Sequence, residues 1–326
     1  MLVSLFNSNF IRRNSFKAWV LASRPKTLTG AAVPVMIGSA CAYKDCDETC
    51  FGWIPMVLCF LFAFIMQIDA NFINDYYDCV KKKDNEKRLG PERACQQGWV
   101  TLNAMKCAIV ITTIAACLAG LPLLYYGGIE LLLVGILCIA FCFLYTTLFA
   151  SIGLGDLLVL VFFGLIPVCC TWWVCIPHDT ILYYDIFPVL TDNVINVLSW
   201  SNFCSPFLLS ISCGLVVDTL LIVNNYRDID NDREVGKITL VVILGKQVSE
   251  WLYIFMPAIS IVIVLFLYGW NSLNIILAFI PYFLYTGTWN RMRIIGSGKG
   301  LNRILGETAR NIFIYGIVTC LIIVLS

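Results

Sequence analysis

From residue 27 to its end the chain alternates long apolar runs with short polar breaks. A helix crossing about 30 Å of hydrocarbon needs about 20 residues. Nine runs approach that length, near 27–44, 52–78, 101–125, 129–149, 154–176, 203–226, 248–268, 272–290 and 306–325. They predict about nine transmembrane helices. The first is the least regular, holding Gly30, Pro34 and Gly38. The longer breaks lie near 80–100, 177–202, 227–247 and 291–305.

Charge follows the same alternation. Arg12, Arg13, Lys17, Arg24 and Lys26 precede the first run, and Lys81 to Arg93 and Lys106 flank the second and third. Arg227, Arg233, Lys237 and Lys246 follow the sixth; Arg291, Arg293, Lys299, Arg303 and Arg310 lie around the last break. Of 22 Lys and Arg, Lys44 alone falls on the opposite side. The positive-inside rule then predicts a cytoplasmic N-terminus in a multi-pass protein of the cell inner or cytoplasmic membrane.

Composition agrees. Across 326 residues, 60% are hydrophobic and 13% charged, against about 25% charged in a soluble domain. The chain is expected to be an all-α integral membrane protein, and a net charge of +1 argues against a nucleic-acid partner. No cleavable leader is expected. The 16 cysteines lie mostly in apolar runs with no CxxC and one histidine, His178, which excludes zinc and thioredoxin-type chemistry. Trp172 and Trp173 are expected to mark a membrane interface.

The candidate chemistry lies at two run ends. The second run closes on NFINDYYD and the sixth on NNYRDIDND. On a helix, Asn71, Asp75 and Asp78 share one face, as do Asn224, Asp228 and Asp232 nearby on theirs. Two related motifs four runs apart suggest a weak internal duplication that brings parallel acidic faces together. Two unit charges 6 Å apart at an effective dielectric of about 20 repel by about 3 kcal/mol, so the pair calls for a hard cation. Mg²⁺ suits it, being commonly held by one or two carboxylates with substrate phosphates. The asparagines add neutral oxygens, and nearby cations can take further phosphate oxygens. Lys81 to Lys83 are read as orientation signals. Arg227 and Lys237, beside the second acidic set, are read as phosphate ligands.

With these residues in view the chain resembles the UbiA superfamily of membrane prenyltransferases. Within it the branch that prenylates 1,4-dihydroxy-2-naphthoate is nearest. The likeness rests on ASRPKTL at 22–28, NDYYDCVKKKDNEKRLGP at 74–91, GLGD at 153–156, NNYRDIDNDREVGK at 224–237 and LNRILGETAR at 301–310. It implies a single domain over 1–326, with weakly repeated halves of about 15–150 and 151–326, and nine helices around a central cavity. It also implies Mg²⁺ dependence and transfer of a polyprenyl group from its diphosphate to an aromatic acid, with loss of CO₂. Asp75, Asp78, Asp228 and Asp232 match the catalytic metal–diphosphate positions, and Asp84 a further acid of the first motif. Asn71, Asn74, Asn224, Arg24, Lys26, Arg88, Tyr145, Arg227 and Lys237 are the candidate substrate-binding residues. Arg24 and Lys26 are first candidates for the acceptor carboxylate or a phosphate, and Tyr145 for cation–π contact with an allylic cation. Alternatives are another aromatic acceptor, 4-hydroxybenzoate or homogentisate, and an ion-coupled transporter. Asp69 and Asp218, acids inside apolar runs, keep the transporter open.

Overall fold

A computed structural model describes residues 11–46, 50–81, 89–147, 152–177 and 200–326. Asp84, Arg88, His178 and most of the 177–202 break lie outside the described residues. Those described are helical throughout, joined by short turns: α1 (Phe16–Ser23), α2 (Leu28–Asp45), α3 (Trp53–Val80), α4 (Leu102–Gly120), α5 (Leu123–Gly127), α6 (Glu130–Thr147), α7 (Gly155–Leu160), α8 (Ile166–Cys175), α9 (Trp200–Glu234), α10 (Leu240–Tyr268), α11 (Ser272–Ile295) and α12 (Leu301–Leu325). Caps set several starts: the Ser15, Thr101 and Thr239 hydroxyls and the Asn271 side chain each accept a backbone N–H of their first turn, satisfying a donor the helix leaves open.

Helices coincide with all nine expected positions. Among the described residues six are long and apolar enough to cross a membrane: Trp53–Val80, Leu102–Gly127, Gly155–Cys175, Cys204–Glu234, Leu240–Tyr268 and Leu301–Leu325. The remaining three positions are filled by α6, α2 and α11. α2 falls short of that criterion because it is built from small residues: it packs against α3, α8, α9 and α12, and Gly30, Ala31, Ala32, Gly38 and Ser39 are buried in it. A Cβ on Gly38 would lie 2.5 Å from the Val168 carbonyl oxygen of α8, so only glycine permits that approach. α11 mixes Asn274, Thr286, Gly287 and Thr288 into its apolar run.

The breaks predicted at 227–247 and 291–305 are largely helix. α9 runs through the second acidic motif to Glu234, and α10 begins at Leu240 and kinks at Gly245, whose φ is 78°. Charged residues clear of the hydrocarbon keep helical hydrogen bonding while reading as loop. Between α7 and α8 the chain takes a π turn, Val161–Leu165, where Gly164 meets Ser210 and Gly214 of α9.

The core is large and aromatic, with Ile37, Trp172, Tyr253, Tyr285 and Tyr315 fully buried. Its hydroxyls are paired: Tyr315 with Ser212 at 2.5 Å, Tyr253 with Thr308 at 2.9 Å, and Tyr285 with Thr219 at 3.3 Å. Trp172, expected to mark a membrane interface, is buried between helices rather than facing outward, and its indole N–H donates at 2.7 Å to Asp45 at the exposed end of α2.

Candidate active site

A cavity of about 490 Å³ lies inside the bundle, within the usual range for a ligand pocket. Its lining follows α3 from Cys59 to Asn74, about 22 Å at 1.5 Å per residue. The walls are apolar, with Phe62, Leu124, Leu131, Phe162, Phe163 and Cys170 among them. Arg24, Asn71, Asn74 and Asn224 are among its polar lining residues, and each lining asparagine stands at the end of its helix that leads into an acidic motif. Tyr145 also lines it.

Asn71 and Asp75 stand one turn apart on α3, and each fastens a different segment. The Asn71 amide nitrogen donates to Ser23 O at 2.9 Å and to Thr27 Oγ1 at 3.0 Å. Gln67 donates to the same hydroxyl at 3.3 Å, and Thr27 donates to Arg24 O at 2.9 Å. Together they hold Arg24 in the left-handed region, φ 50° and ψ 69°, a conformation that is strained for a side chain with a Cβ. Arg24 lies within electrostatic reach of Asp75, Asp78, Arg93 and Arg227, so it senses both motifs. Burial and the Arg93 charge push its guanidinium down to about 10, with Asp75 and Asp78 opposing. It is therefore cationic at neutral pH.

The four acids sit just beyond the polar end, each with a local partner. Asp75, 1% exposed, accepts the backbone N–H groups of Ala94 at 2.9 Å and Cys95 at 3.3 Å. Asp78 pairs with Arg93. Asp228 takes the Arg227 guanidinium bidentately, at 2.8 Å from Nε and 2.6 Å from Nη2. Asp232 accepts from Lys237 Nζ at 3.1 Å. The segment carrying Arg93, Ala94 and Cys95 thus lies over the first motif, and the Cys95 thiol there is pushed up to about 12 by burial and by Asp75.

Arg227 also reaches away from its own helix. Its Nη1 donates to Asn302 Oδ1 at 2.9 Å, and Asn302 Nδ2 donates to Leu89 O at 2.9 Å. The two motifs, predicted to converge, are linked through this amide. Lys26 is exposed and lies near Gly306 of α12 rather than lining the cavity. Asp69, fully buried, accepts from Thr112 Oγ1 at 2.5 Å and Thr113 Oγ1 at 2.9 Å, which makes it a clamp between α3 and α4. Thr27, Gln67 and Asn302 were not singled out by sequence reasoning, and Arg93 was placed in the first motif's loop without a partner. Thr27 and Asn302 do lie in the ASRPKTL and LNRILGETAR segments.

Among the described residues no three acidic, histidine or cysteine side chains close around one point as a metal cage. A site of one or two carboxylates completed by substrate phosphates is the usual arrangement for Mg²⁺, and the donor set fits that. The side chains of Asp78 and Asp228 keep 16% and 27% exposure, while Asp75 is enclosed by backbone donors.

Comparison with known proteins places this architecture. The UbiA prenyltransferase family matches residues 31–295. The 1,4-dihydroxy-2-naphthoate octaprenyltransferase of Escherichia coli (strain K12) is 35% identical over 239 residues, which is 71% of this chain and 69% of that protein. An apo UbiA homolog from Aeropyrum pernix K1 superposes with a TM-score of 0.63 at 16% identity, covering 89% of this chain and 96% of that one. A UbiA homolog from Archaeoglobus fulgidus, bound to DMAPP and Mg²⁺, superposes with a TM-score of 0.55 at 12% identity, covering 93% and 98%. The chain is a multi-pass membrane enzyme and belongs to the UbiA prenyltransferase family.

Proposed function

We propose that this prenyltransferase moves a polyprenyl group from its allylic diphosphate to 1,4-dihydroxy-2-naphthoate, releasing diphosphate and CO₂ and giving demethylmenaquinone in its reduced, quinol form. The observation that carries the reading is an apolar cavity whose polar end is Arg24, Asn71, Asn74 and Asn224, with two acidic motifs immediately beyond. The acceptor is taken from the relative in Escherichia coli, named as an octaprenyltransferase for that acid.

Asp78 and Asp228, helped by Asp75 and Asp232, would hold Mg²⁺. When bound, the ion would neutralise the diphosphate as a leaving group. Arg24, Arg227 and Lys237 bind phosphate oxygens, and Asn71 fixes the segment that presents Arg24. The prenyl chain occupies the apolar length of the cavity, whose walls exclude water and so prevent its capture of the allylic cation. The allylic C–O bond breaks with its electron pair leaving on the diphosphate. The ring carbon bearing the carboxylate then attacks the prenyl cation and forms the new C–C bond. The bond to the carboxylate breaks, its electrons restore the aromatic ring, and CO₂ departs. Tyr145 faces the cation from the wall.

The one-sided distribution of Lys and Arg supports a cytoplasmic N-terminus and a cytoplasmic diphosphate site in the cell inner membrane. Purified protein with Mg²⁺, a polyprenyl diphosphate and the naphthoate should form prenylated product and pyrophosphate in equal amounts. Chelation by EDTA should stop both. Undiminished turnover after chelation, or no product with this acid while 4-hydroxybenzoate is prenylated, would contradict the reading.

A further inference from the structure

Arg227 presents its guanidinium in an unusual way for a residue on a helix end. It is 5% exposed, and its Nε–Nη2 edge lies on Asp228, its own neighbour in sequence. That edge is the planar fork that fits a phosphate bidentately. Its third nitrogen, Nη1, is held by the Asn302 side chain from the first turn of α12. Asn302 in turn holds the backbone of Leu89, in the segment whose Arg93, Ala94 and Cys95 engage Asp78 and Asp75. One half-buried amide thus faces both acidic motifs, accepting from one and donating to the segment that covers the other.

We propose that Asn302 is a positioning residue that fixes Arg227 for the diphosphate and couples the second motif to the segment over the first. The inference rests on the diphosphate reading above. When a phosphate replaces Asp228 on the Nε–Nη2 edge, the bond at Nη1 still orients the guanidinium plane. An uncharged acceptor is required there. A carboxylate would orient Arg227 equally well but would neutralise part of the charge meant for substrate. The amide also supplies a donor for Leu89, which neither a carboxylate nor a hydrocarbon provides.

The test is steady-state kinetics on the full chain in membranes, with the polyprenyl diphosphate and the acceptor varied separately. Asn302→Ala and Asn302→Asp should each raise the KM for polyprenyl diphosphate roughly 10-fold or more, the scale of one hydrogen bond to a charged group. The kcat at saturation should stay within about 3-fold and the KM for the acceptor should stay unchanged; a general structural defect would lower kcat and leave no such split. In an Arg227→Ala background, Asn302→Ala should add much less than it costs alone, because the larger part of its effect passes through the guanidinium and only the bond to Leu89 is left to lose. Asn302→Asp, of the same shape, keeps the test informative if the alanine variant is poorly folded. Wild-type KM for the diphosphate in the Asp variant, or a full additional loss in the Arg227→Ala background, would overturn the inference while leaving the functional reading intact. Absence of prenyl transfer by the wild-type chain would overturn both.

Discussion

Replacing Asn71 by alanine tests whether Arg24 is held in place or merely found there. The left-handed backbone of Arg24 costs roughly 1–2 kcal/mol. Asn71 donates two of the bonds that retain it, to Ser23 O and Thr27 Oγ1 at 2.9 and 3.0 Å, each contributing about 1 kcal/mol net. Their sum of about 2 kcal/mol is comparable to the strain. Without them the Gln67–Thr27 bond at 3.3 Å and the Thr27–Arg24 bond at 2.9 Å remain, too little to keep Arg24 at the cavity. A loss of about 2 kcal/mol corresponds to roughly 30-fold. Asn71→Ala should therefore raise the KM for polyprenyl diphosphate by 10- to 30-fold, read as above from initial rates at fixed acceptor. Arg24→Ala should reproduce most of that change, and the double variant should be no worse than Arg24→Ala. Unchanged KM in Asn71→Ala, or strictly additive effects, would refute the argument that Asn71 acts by holding Arg24.

Asp75→Asn, Asp78→Asn, Asp228→Asn and Asp232→Asn should each lower product formation about 100-fold or more at equal protein level in membranes, the scale of a lost charge-stabilising group; near-normal turnover in any two would speak against a two-motif site. Asp69→Asn should lower the thermal unfolding midpoint, because it disturbs the Thr112 and Thr113 bonds between α3 and α4, while leaving both KM values unchanged; altered substrate affinity would return Asp69 to the site and reopen the transporter alternative. Maleimide applied from the cytoplasmic face should label cysteines introduced at 89–93, and applied from the opposite face should not; the reverse pattern would invert the orientation.

The membrane helices were legible because apolar run length is set by bilayer thickness, and the runs gave their positions to within a few residues except where helices continue past the hydrocarbon. Apolar run length alone ended the sixth run near 226, whereas the shared helical face of Asn224, Asp228 and Asp232 pointed to the continuation of α9 that the structure carries to Glu234. The two motifs were legible through repeated spacing, and the structure joins them. What the spacing did not reveal was the partner of each acid. Ala94, Cys95 and Asn302 are brought in by tertiary packing, and backbone donors carry no residue signature. Asp69 looked like an intramembrane functional acid because its threonine partners are about 44 residues away inside another apolar run. Trp172 was misread for a related reason: the composition that marks a lipid-facing interface also fills the space between helices, where the Asp45 carboxylate at the end of α2 accepts the indole N–H.

The central claim is decarboxylating prenyl transfer, and the fate of the acceptor carboxyl tests it most directly. With carboxyl-labelled 1,4-dihydroxy-2-naphthoate, a polyprenyl diphosphate and Mg²⁺, purified protein should release one labelled CO₂ for each prenylated product. The ring carbon beside the hydroxyl attacks at the position the carboxylate leaves, so the two counts are tied by stoichiometry. Prenylated product that retains the label would contradict the account and assign the chain to a different acceptor chemistry.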